Sequence, residues 1–186
     1  MTFDTHPDAR VLHRGVRVTL KEARLRDGDG QTHVREVVEA ADAVVILPLV
    51  EEGGGVVLIR NERFAVREAL WELPAGTVEA GELPDACAPR ELEEETGYRA
   101  GQVEKLTSFY PTPGFCTEKL HAYRATRLVE VGQKLDPTER ISVHVTPWSE
   151  ALAMVRDGRI QDAKTIATLL YHATFADVPG HVGAEG

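Results

Sequence analysis

The pattern of apolar and polar residues predicts a sheet whose central strand is buried on both faces. Residues 43–50 form a continuous apolar run, as strands covered on both faces of a sheet do. Apolar and polar residues alternate over 11–26 and again over 32–39, and Asp27-Gly28-Asp29-Gly30 between them is a hairpin turn signal. Further strands are predicted at residues 56–60, 70–73, 103–110, 119–127 and 141–145, with a turn at 51–55.

Helices are predicted in three places along the chain. Pro84 suits the first turn of a helix, and Gly97 suits the residue that ends it. A second helix is expected from Ser149, as its N-cap, to residue 157, and a third over 162–174. Strands mixed with helices indicate an α/β sandwich. We expect a single domain at residues 11–176, with a disordered tail at 1–10 and a frayed tail at 177–186.

Length, charge and cysteine content exclude several classes of function. A chain of 186 residues is expected to fold around one core, and its net charge of −9 argues against a nucleic-acid partner. No apolar run reaches the ~18 residues that a membrane span requires, and the N-terminal residues are too polar for a secretory signal. Cys87 and Cys116 are too few for a disulfide framework. We therefore predict a cytoplasmic protein without membrane or nucleic-acid partners.

One charge-dense run, Arg90-Glu91-Leu92-Glu93-Glu94-Glu95, carries the candidate chemistry. On a helix that advances ~100° per residue, Glu91, Glu94 and Glu95 lie on one face. Arg90 can pair with Glu94 at i,i+4, which leaves Glu91 and Glu95 without a partner in the run. Hard divalent cations such as Mg²⁺ prefer carboxylate oxygens, so the spacing favours a metal site over a solvated acidic face.

A longer pattern surrounds this run and points to a family. The order G-x5-E-x7-R-E-U-x-E-E-x-G-U, where U is bulky and apolar, is matched by Gly76, Glu82, Arg90, Glu91, Leu92, Glu94, Glu95, Gly97 and Tyr98. The stretch resembles the Nudix box, with Tyr98 in place of the usual aliphatic residue and Pro89 inside the helix. The resemblance implies the Nudix fold, an α/β/α sandwich with a mixed sheet, and hydrolysis of nucleoside diphosphates linked to another group.

The resemblance also implies roles for the residues of the box. Mg²⁺, with Mn²⁺ as the alternative, would be held by Glu91, Glu95 and the backbone carbonyl of Ala75, with Glu94 beside them. Arg90 and Glu94 would support catalysis by holding the helix and its ligands in place, as residues behind metal ligands commonly do.

Two segments outside the box resemble the ADP-ribose pyrophosphatase group of this family. Trp71-Glu72-Leu73-Pro74-Ala75-Gly76 matches the group's approach to the box, and the loop from Tyr110 to Glu118 is similar to its substrate loop. Pro113 and Gly114 can fix a turn that aims Glu118 at a sugar hydroxyl, while arginine can bind diphosphate oxygens bidentately. The substrate-binding candidates are Arg60, Arg63, Glu72, Thr112, Glu118 and, reaching into a partner subunit, Arg35 and Glu36.

A general base is expected on the loop at residues 133–141. This loop lies where the pyrophosphatase group keeps a mobile acidic loop, and its acidic residues are Asp136 and Glu139. Glu139 is favoured over Asp136 because it directly precedes the strand predicted at 141. Glu118 or a glutamate of the box remains an alternative base.

The resemblance as a whole predicts an Mg²⁺-dependent hydrolase that cleaves ADP-ribose to AMP and ribose 5-phosphate. Another nucleoside diphosphate sugar, of the GDP-mannose type, is the alternative substrate, because these motifs do not fix the base contacts. A non-catalytic ADP-ribose sensor is a third reading, against which the complete set of box carboxylates argues. The N-terminal hairpin at 11–39 is extra to the minimal fold and resembles the dimerising strands of the pyrophosphatase group, so a homodimer is expected.

Overall fold

The computed structural model describes residues 9–50 and 54–176 of the chain. Residues 1–8 and 177–186, where tails are predicted, and 51–53, in the predicted turn, lie outside the described residues. Among the described residues, no helix combines the length and apolar character that crossing a membrane requires. The elements are β1 (Arg10–Arg14), β2 (Val18–Arg26), β3 (Thr32–Ala40), β4 (Ala43–Val50), β5 (Gly55–Arg63), β6 (Glu68–Glu72), β7 (Ala75–Thr77), α1 (Pro84–Thr96), β8 (Tyr98–Phe109), β9 (Leu120–Glu130), β10 (Ile141–Pro147), α2 (Trp148–Arg156) and α3 (Ala163–Phe175).

Seven strands form the main sheet, in the order β10-β5-β4-β9-β8, with β6 paired to β5 and β7 paired to β4. Strands β4 and β9 run parallel, while the other pairs are antiparallel, so the sheet is mixed. Helix α1 packs on one face, and helices α2 and α3 pack on the other. This arrangement confirms the predicted α/β/α sandwich.

The apolar run of β4 is buried on both faces, as its sequence predicts. Side chains alternate between the two faces of a strand. Val45 and Leu47 therefore join the core beneath α2 and α3, while Val44 and Ile46 join the core beneath α1. Because β4 fills both cores, it fixes the position of β7, which pairs with its first half and carries part of the site.

The N-terminal strands form a three-stranded sheet rather than a simple hairpin. The prediction of one strand over 11–26 is wrong, because the chain reverses after β1, where the Gly15 N–H donates to the Val18 carbonyl at 2.9 Å. The second turn is confirmed between β2 and β3, where Gly30 has a φ of 80°. Strand β3 also contacts the loop between β8 and β9, since the Val38 N–H donates to the Phe115 carbonyl at 2.7 Å.

Helix α1 ends where the sequence predicts, and a loop seals its last turn. Gly97 has a φ of 74°, which glycine adopts without steric cost, and its N–H donates to the Glu93 carbonyl. A Cβ on Gly97 would lie 2.7 Å from the backbone nitrogen of Gln133. The Lys134 N–H donates to the Glu94 carbonyl at 3.0 Å. The acidic loop is thereby attached to the end of the helix that carries the box glutamates.

Two boundaries differ from the prediction. Helix α2 begins at Trp148 after Pro147, with no side-chain cap, so the predicted Ser149 N-cap is wrong. Strand β8 begins already at Tyr98, because it pairs with the whole length of β9. Helix α3 spans Ala163–Phe175, close to the predicted 162–174, and the Asp162 side chain caps it by accepting from the Thr165 N–H.

Candidate active site

The loops and helix ends beside β7 enclose a cavity of about 580 Å³. The box helix contributes one wall, the acidic loop a second, and the first turn of α3 a third. The predicted site residues that line the cavity are Arg63, Ala75, Arg90, Glu91, Glu94, Glu95, Glu118, Asp136 and Glu139. Residues widely separated in the sequence thus meet around a single space.

Glu91 packs against the backbone of β7 at Gly76. A Cβ on Gly76 would lie 1.9 Å from the carboxyl carbon of Glu91, so only glycine leaves room for this carboxylate. Arg90 Nη1 donates to Glu91 Oε1 at 2.8 Å. The expectation that Glu91 lacks a partner is therefore wrong, because helix spacing rules do not describe a long arginine side chain that folds back on its neighbour.

Replacing Gly76 by alanine is expected to lower kcat/KM by about 10²-fold, since a misplacement near 1 Å at a reacting centre has effects of that size. The added methyl must displace Glu91. Steady-state kinetics of the variant measure the effect. Gly28→Ala is the matched control, because a Cβ on Gly28 meets nothing within 4 Å. Wild-type kinetics in Gly76→Ala would contradict a role for Glu91 at this position.

Glu95 is a buried carboxyl group whose ionised form is favoured by the charge of Arg63, but too weakly to offset burial. It is 3% exposed, and its one hydrogen-bond donor is the Ala75 N–H, at 2.8 Å from Oε2. Burial raises the pKa of Glu95 to about 8, and the charges of Glu91 and Glu139 act in the same direction. Within the described residues Glu95 forms no ion pair. A bound cation would supply the positive charge that stabilises the ionised carboxylate at this buried position.

Arg90 organises the acidic face of the box helix. Its Nε and Nη2 each donate to Glu82 at 2.9 Å, in a bidentate pair. Its Nη1 also donates to Glu94 at 2.9 Å, which confirms the predicted i,i+4 pair. The hydrogen bonds from Arg90 lower the pKa of Glu82 to about 2. Arg90 therefore holds three carboxylates, including Glu91, in a fixed arrangement.

The acidic loop brings both predicted base candidates to the cavity. The Glu139 N–H donates to the Asp136 carbonyl at 2.9 Å, and the Asp136 N–H donates to Glu139 Oε2 at 2.9 Å. These two bonds close a turn that fixes Glu139 relative to the loop backbone. Burial is the main cause of the raised pKa of Glu91, and the charge of Glu139 adds to it, as it does at Glu95.

Glu72 does not line the cavity. It binds two cationic side chains that do, those of Arg63 and Lys164. It is fully buried, and Arg63 donates to its two oxygens at 2.7 and 2.6 Å. Lys164 Nζ donates to the same carboxylate at 2.5 Å and to Asp162 at 2.9 Å. Burial alone would raise the pKa of Glu72, but Arg63 and Lys164 hold it below its usual value. Both oxygens that were expected to contact substrate are thus engaged by Arg63 and Lys164.

Of the other residues predicted to bind substrate, one lines the cavity and four do not. Glu118 lines the cavity, and burial raises its pKa. Arg60 does not line it, because its guanidinium lies 5.3 Å from the Trp71 ring. Thr112 accepts two backbone N–H groups in the turn before Glu118, also away from the cavity. Arg35 and Glu36 lie exposed on β3, outside this cavity, so their predicted role in a partner's site remains a prediction.

Several lining residues were missed from the sequence. Arg17, in the β1–β2 turn, reaches the cavity and its Nη2 lies 3.5 Å from Thr77 Oγ1. Lys164 lies in the first turn of α3, a helix that was predicted without its relation to the site. The missed residues with charged side chains are Arg17, Glu79, Lys134, Asp162 and Lys164.

The charges around the cavity fit a divalent cation. Eight acidic and five basic side chains line it, so an excess of negative charge faces the enclosed space. No group of three or more His, Cys, Asp or Glu residues within 9–50 and 54–176 is arranged as a ready-made metal cluster. The donors near Gly76 are nevertheless carboxylate oxygens, the type that hard cations prefer. The buried Glu95, which has no ion-pair partner within the described residues, is the observation that makes this donor set fit a metal.

Comparison with known proteins assigns the family. Residues 39–169 match the model of the NUDIX domain, which is well over half of the chain. The chain belongs to the Nudix family. The matched range contains the box helix, the substrate loop and the acidic loop, and it begins at the end of β3. Most of the three-stranded N-terminal sheet therefore lies outside the common Nudix domain.

Relatives of this Nudix protein include pyrophosphatases with two different named substrates. It is 37% identical over 145 residues to the ADP-ribose pyrophosphatase of Bacillus subtilis (strain 168), covering 77% of this chain and 78% of that protein. It is 36% identical over 156 residues to the GDP-mannose pyrophosphatase of Citrobacter koseri, covering 78% and 81%. A crystal structure of an ADP compounds hydrolase matches with a TM-score of 0.82 at 22% identity, covering 96% of both chains, which supports the fold.

Proposed function

We propose that this Nudix hydrolase cleaves ADP-ribose to AMP and ribose 5-phosphate with Mg²⁺ as its cofactor. The observation that carries the proposal is the buried carboxyl of Glu95, which has no ion-pair partner within the described residues, in one cavity with the guanidinium of Arg63. A diphosphate needs cationic partners, and a cluster of carboxylates needs bound cations to accept one. The name of the Bacillus subtilis relative supports ADP-ribose as the substrate.

Residues of the box and of β7 would hold the metal. Glu91 and Glu95 would contribute carboxylate oxygens, and Ala75 its backbone carbonyl, with Glu94 nearby. A bound divalent cation polarises phosphoryl oxygens and neutralises charge on the leaving phosphate. Arg90 keeps Glu91 and Glu94 oriented through its hydrogen bonds at 2.8 and 2.9 Å. Arg63, anchored by Glu72, would donate to the diphosphate.

Glu139 is the proposed general base. Hydrogen bonds from its backbone N–H and to its Oε2 join it to Asp136. It lines the same cavity as Glu91 and Glu95, on the opposing wall formed by the acidic loop. From there it would accept a proton from the attacking water and orient that water toward one phosphorus. Lys134 and Lys164 line the same cavity and would offset the negative charge of the substrate.

A nucleoside diphosphate sugar of the GDP-mannose type is the second candidate substrate, favoured by the name of the Citrobacter koseri relative. The diphosphate would be held by the same residues in both cases. The test is a panel of ADP-ribose, GDP-mannose and other nucleoside diphosphate sugars with Mg²⁺ or Mn²⁺, with kcat/KM measured for each. ADP-ribose should have the highest value. A higher value for GDP-mannose would replace the proposed substrate and leave the chemistry in place.

We expect a homodimer that is formed through the N-terminal sheet. This sheet exposes apolar side chains, which a second subunit would cover: Val11, Leu12, Val16, Val18 and Val34. Light scattering at micromolar concentration should give about twice the chain mass of 20.4 kDa. A particle of 20.4 kDa would contradict the dimer and any role for Arg35 or Glu36 in a neighbouring site. A cytoplasmic location without nucleic-acid partners also remains a prediction.

A further inference from the structure

A second cavity, of about 520 Å³, adjoins the catalytic one. It lies between the β5–β6 connection and the C-terminal end of the acidic loop, and Arg63 lines both cavities. Its lining residues are Glu62, Arg63, Phe64, Arg67, Glu68, Ala69, Thr138 and Arg140. Apart from Arg63, no residue that lines this space has a role in the catalytic chemistry proposed above.

The second cavity is rich in guanidinium groups with unused donors. The Arg67 backbone N–H donates to the Arg63 carbonyl at 2.8 Å, but its guanidinium forms no hydrogen bond or ion pair within the described part of the chain. Arg63 binds Glu72 through Nε and Nη2, and its Nη1 has no partner among the same residues. Arg140 approaches Glu62 only at 3.9 Å, with both side chains largely exposed. Three arginines and two glutamates, Glu62 and Glu68, line the cavity, so its charged side chains are basic on balance. Guanidinium donors that carboxylates leave unused suit an anion, and a phosphate group matches their planar, bidentate geometry.

An aromatic ring stands beside these cations. Phe64 is 93% exposed, although phenylalanine is among the residues most often buried in folded proteins. No described residue covers its ring, and no aromatic contact involves it. An exposed ring next to guanidinium groups can stack on a nucleobase whose phosphate the arginines bind.

The cavity is also connected to the acidic loop. Thr138 and Arg140 line the second cavity, while Glu139 between them lines the catalytic cavity. The Arg140 carbonyl accepts the Glu62 N–H at 3.3 Å, which attaches this end of the loop to β5. An anion held between Arg67 and Arg140 would restrain the backbone on both sides of Glu139.

We propose that the second cavity binds a phosphate-bearing anion, with a nucleoside monophosphate as the best match, and that this binding restrains the loop that carries Glu139. Arg67 and Arg140 bind the phosphate, and Phe64 stacks on the base. Apart from Arg63, which lines both cavities, the residues of the site lie outside the proposed catalytic machinery. Binding there does not depend on hydrolysis. Its occupancy alters turnover by limiting the motion of Glu139, without blocking the catalytic cavity.

Arg67→Gly is the variant that tests the site. Arg67 has a φ of 59°, which glycine adopts without strain, so the substitution removes the guanidinium and leaves the turn intact. Arg127→Gly is the matched control, because Arg127 is an exposed arginine with a φ of 57° that does not line the cavity. Titration calorimetry of the metal-free full chain with AMP, ribose 5-phosphate and inorganic phosphate measures binding directly.

The expected result is saturable binding of AMP that is at least tenfold weaker in Arg67→Gly and unchanged in Arg127→Gly. Phe64→Ala should weaken AMP binding and leave inorganic phosphate unaffected; equal affinities for the three probes would overturn the base contact. The proposal is overturned if no probe binds the wild type at about 10 mM, a concentration that fills even a millimolar site. Equal binding by Arg67→Gly and the wild type would overturn it as well, because the anion would then occupy the catalytic cavity.

Kinetics test the connection to the loop. At saturating ADP-ribose and Mg²⁺, AMP should change kcat of the wild type by twofold or more and leave kcat of Arg67→Gly unchanged. If AMP binds at Arg67 by calorimetry but kcat does not respond in either protein, the coupling to Glu139 is wrong.

Discussion

Glu95→Gln is expected to lower kcat by about 10²–10³-fold while the protein keeps its fold. The substitution preserves shape, and a glutamine oxygen can still accept the Ala75 N–H that Glu95 accepts at 2.8 Å. It removes the negative charge that a cation would require from this ligand. A bound metal contributes several kcal/mol to stabilisation of charge in the transition state, and that energy corresponds to the expected loss in rate.

Glu93→Gln is the matched control for this variant. Glu93 lies on the same helix but binds Arg99 and Lys134 and does not line the cavity. Its loss should change kcat by no more than a few-fold, as the loss of an exposed ion pair contributes little. Near wild-type turnover by Glu95→Gln at saturating Mg²⁺ would show that Glu95 is not a ligand of the essential metal.

Glu95→Gln should also remove a pH-dependent loss of stability. Burial raises the pKa of Glu95 from 4.5 to about 8. Between these values the folded metal-free protein binds a proton that the unfolded chain releases, so this group lowers stability progressively as pH rises through that window. Metal-free Glu95→Gln should therefore melt several degrees above the wild type at pH 8 and at the same temperature near pH 4. Equal melting temperatures at pH 8 would contradict the raised pKa.

Local sequence signals predicted the parts of the fold that local physics determines. The apolar run of β4 needed burial on both faces, and Gly97 could end α1 because only glycine adopts its backbone conformation freely. The signals were weaker where tertiary pairing decided the outcome. Between β1 and β2 the chain reverses at Gly15, although apolar and polar residues alternate on both sides of the turn. Strand β8 extends back to Tyr98 because it pairs with the long strand β9.

The same distinction applies to the site. The box motif brought Glu91, Glu94 and Glu95 to one face of a helix, because their spacing alone places them there. Lys164 was missed because it reaches Glu72 only through the packing of α3 against the sheet. The motif around Glu72 predicted a substrate contact. In the folded chain Glu72 is buried, and its oxygens bind Arg63 and Lys164 instead.

Glu139→Gln is expected to lower kcat by about 10²–10⁴-fold with little change in KM, as removal of a general base does. Glutamine can keep the hydrogen bond that Oε2 accepts from the Asp136 N–H, so the turn of the acidic loop should persist. Asp136→Asn is the comparison variant, with an expected loss of less than tenfold. Steady-state kinetics of both variants with ADP-ribose measure the difference.

Mg²⁺ titration of the two variants separates a base from a ligand. If Glu139 acts only as a base, the Mg²⁺ concentration for half activity should match that of the wild type. An increase in that concentration would assign Glu139 to the metal. A larger loss in Asp136→Asn, with Glu139→Gln almost unaffected, would reverse the assignment. If kcat is unchanged in both variants, neither residue is the base, and Glu118 and Glu94 become the candidates.

Product analysis of ADP-ribose treated with the wild-type protein tests the central claim most directly. The products should be separated by chromatography after incubation with Mg²⁺, and again after the metal is removed by a chelator. The account predicts AMP and ribose 5-phosphate in equal amounts with Mg²⁺, no products after chelation, and recovery when Mg²⁺ is restored. Intact ADP-ribose in the presence of Mg²⁺ and Mn²⁺, or cleavage that persists without any divalent metal, would contradict it.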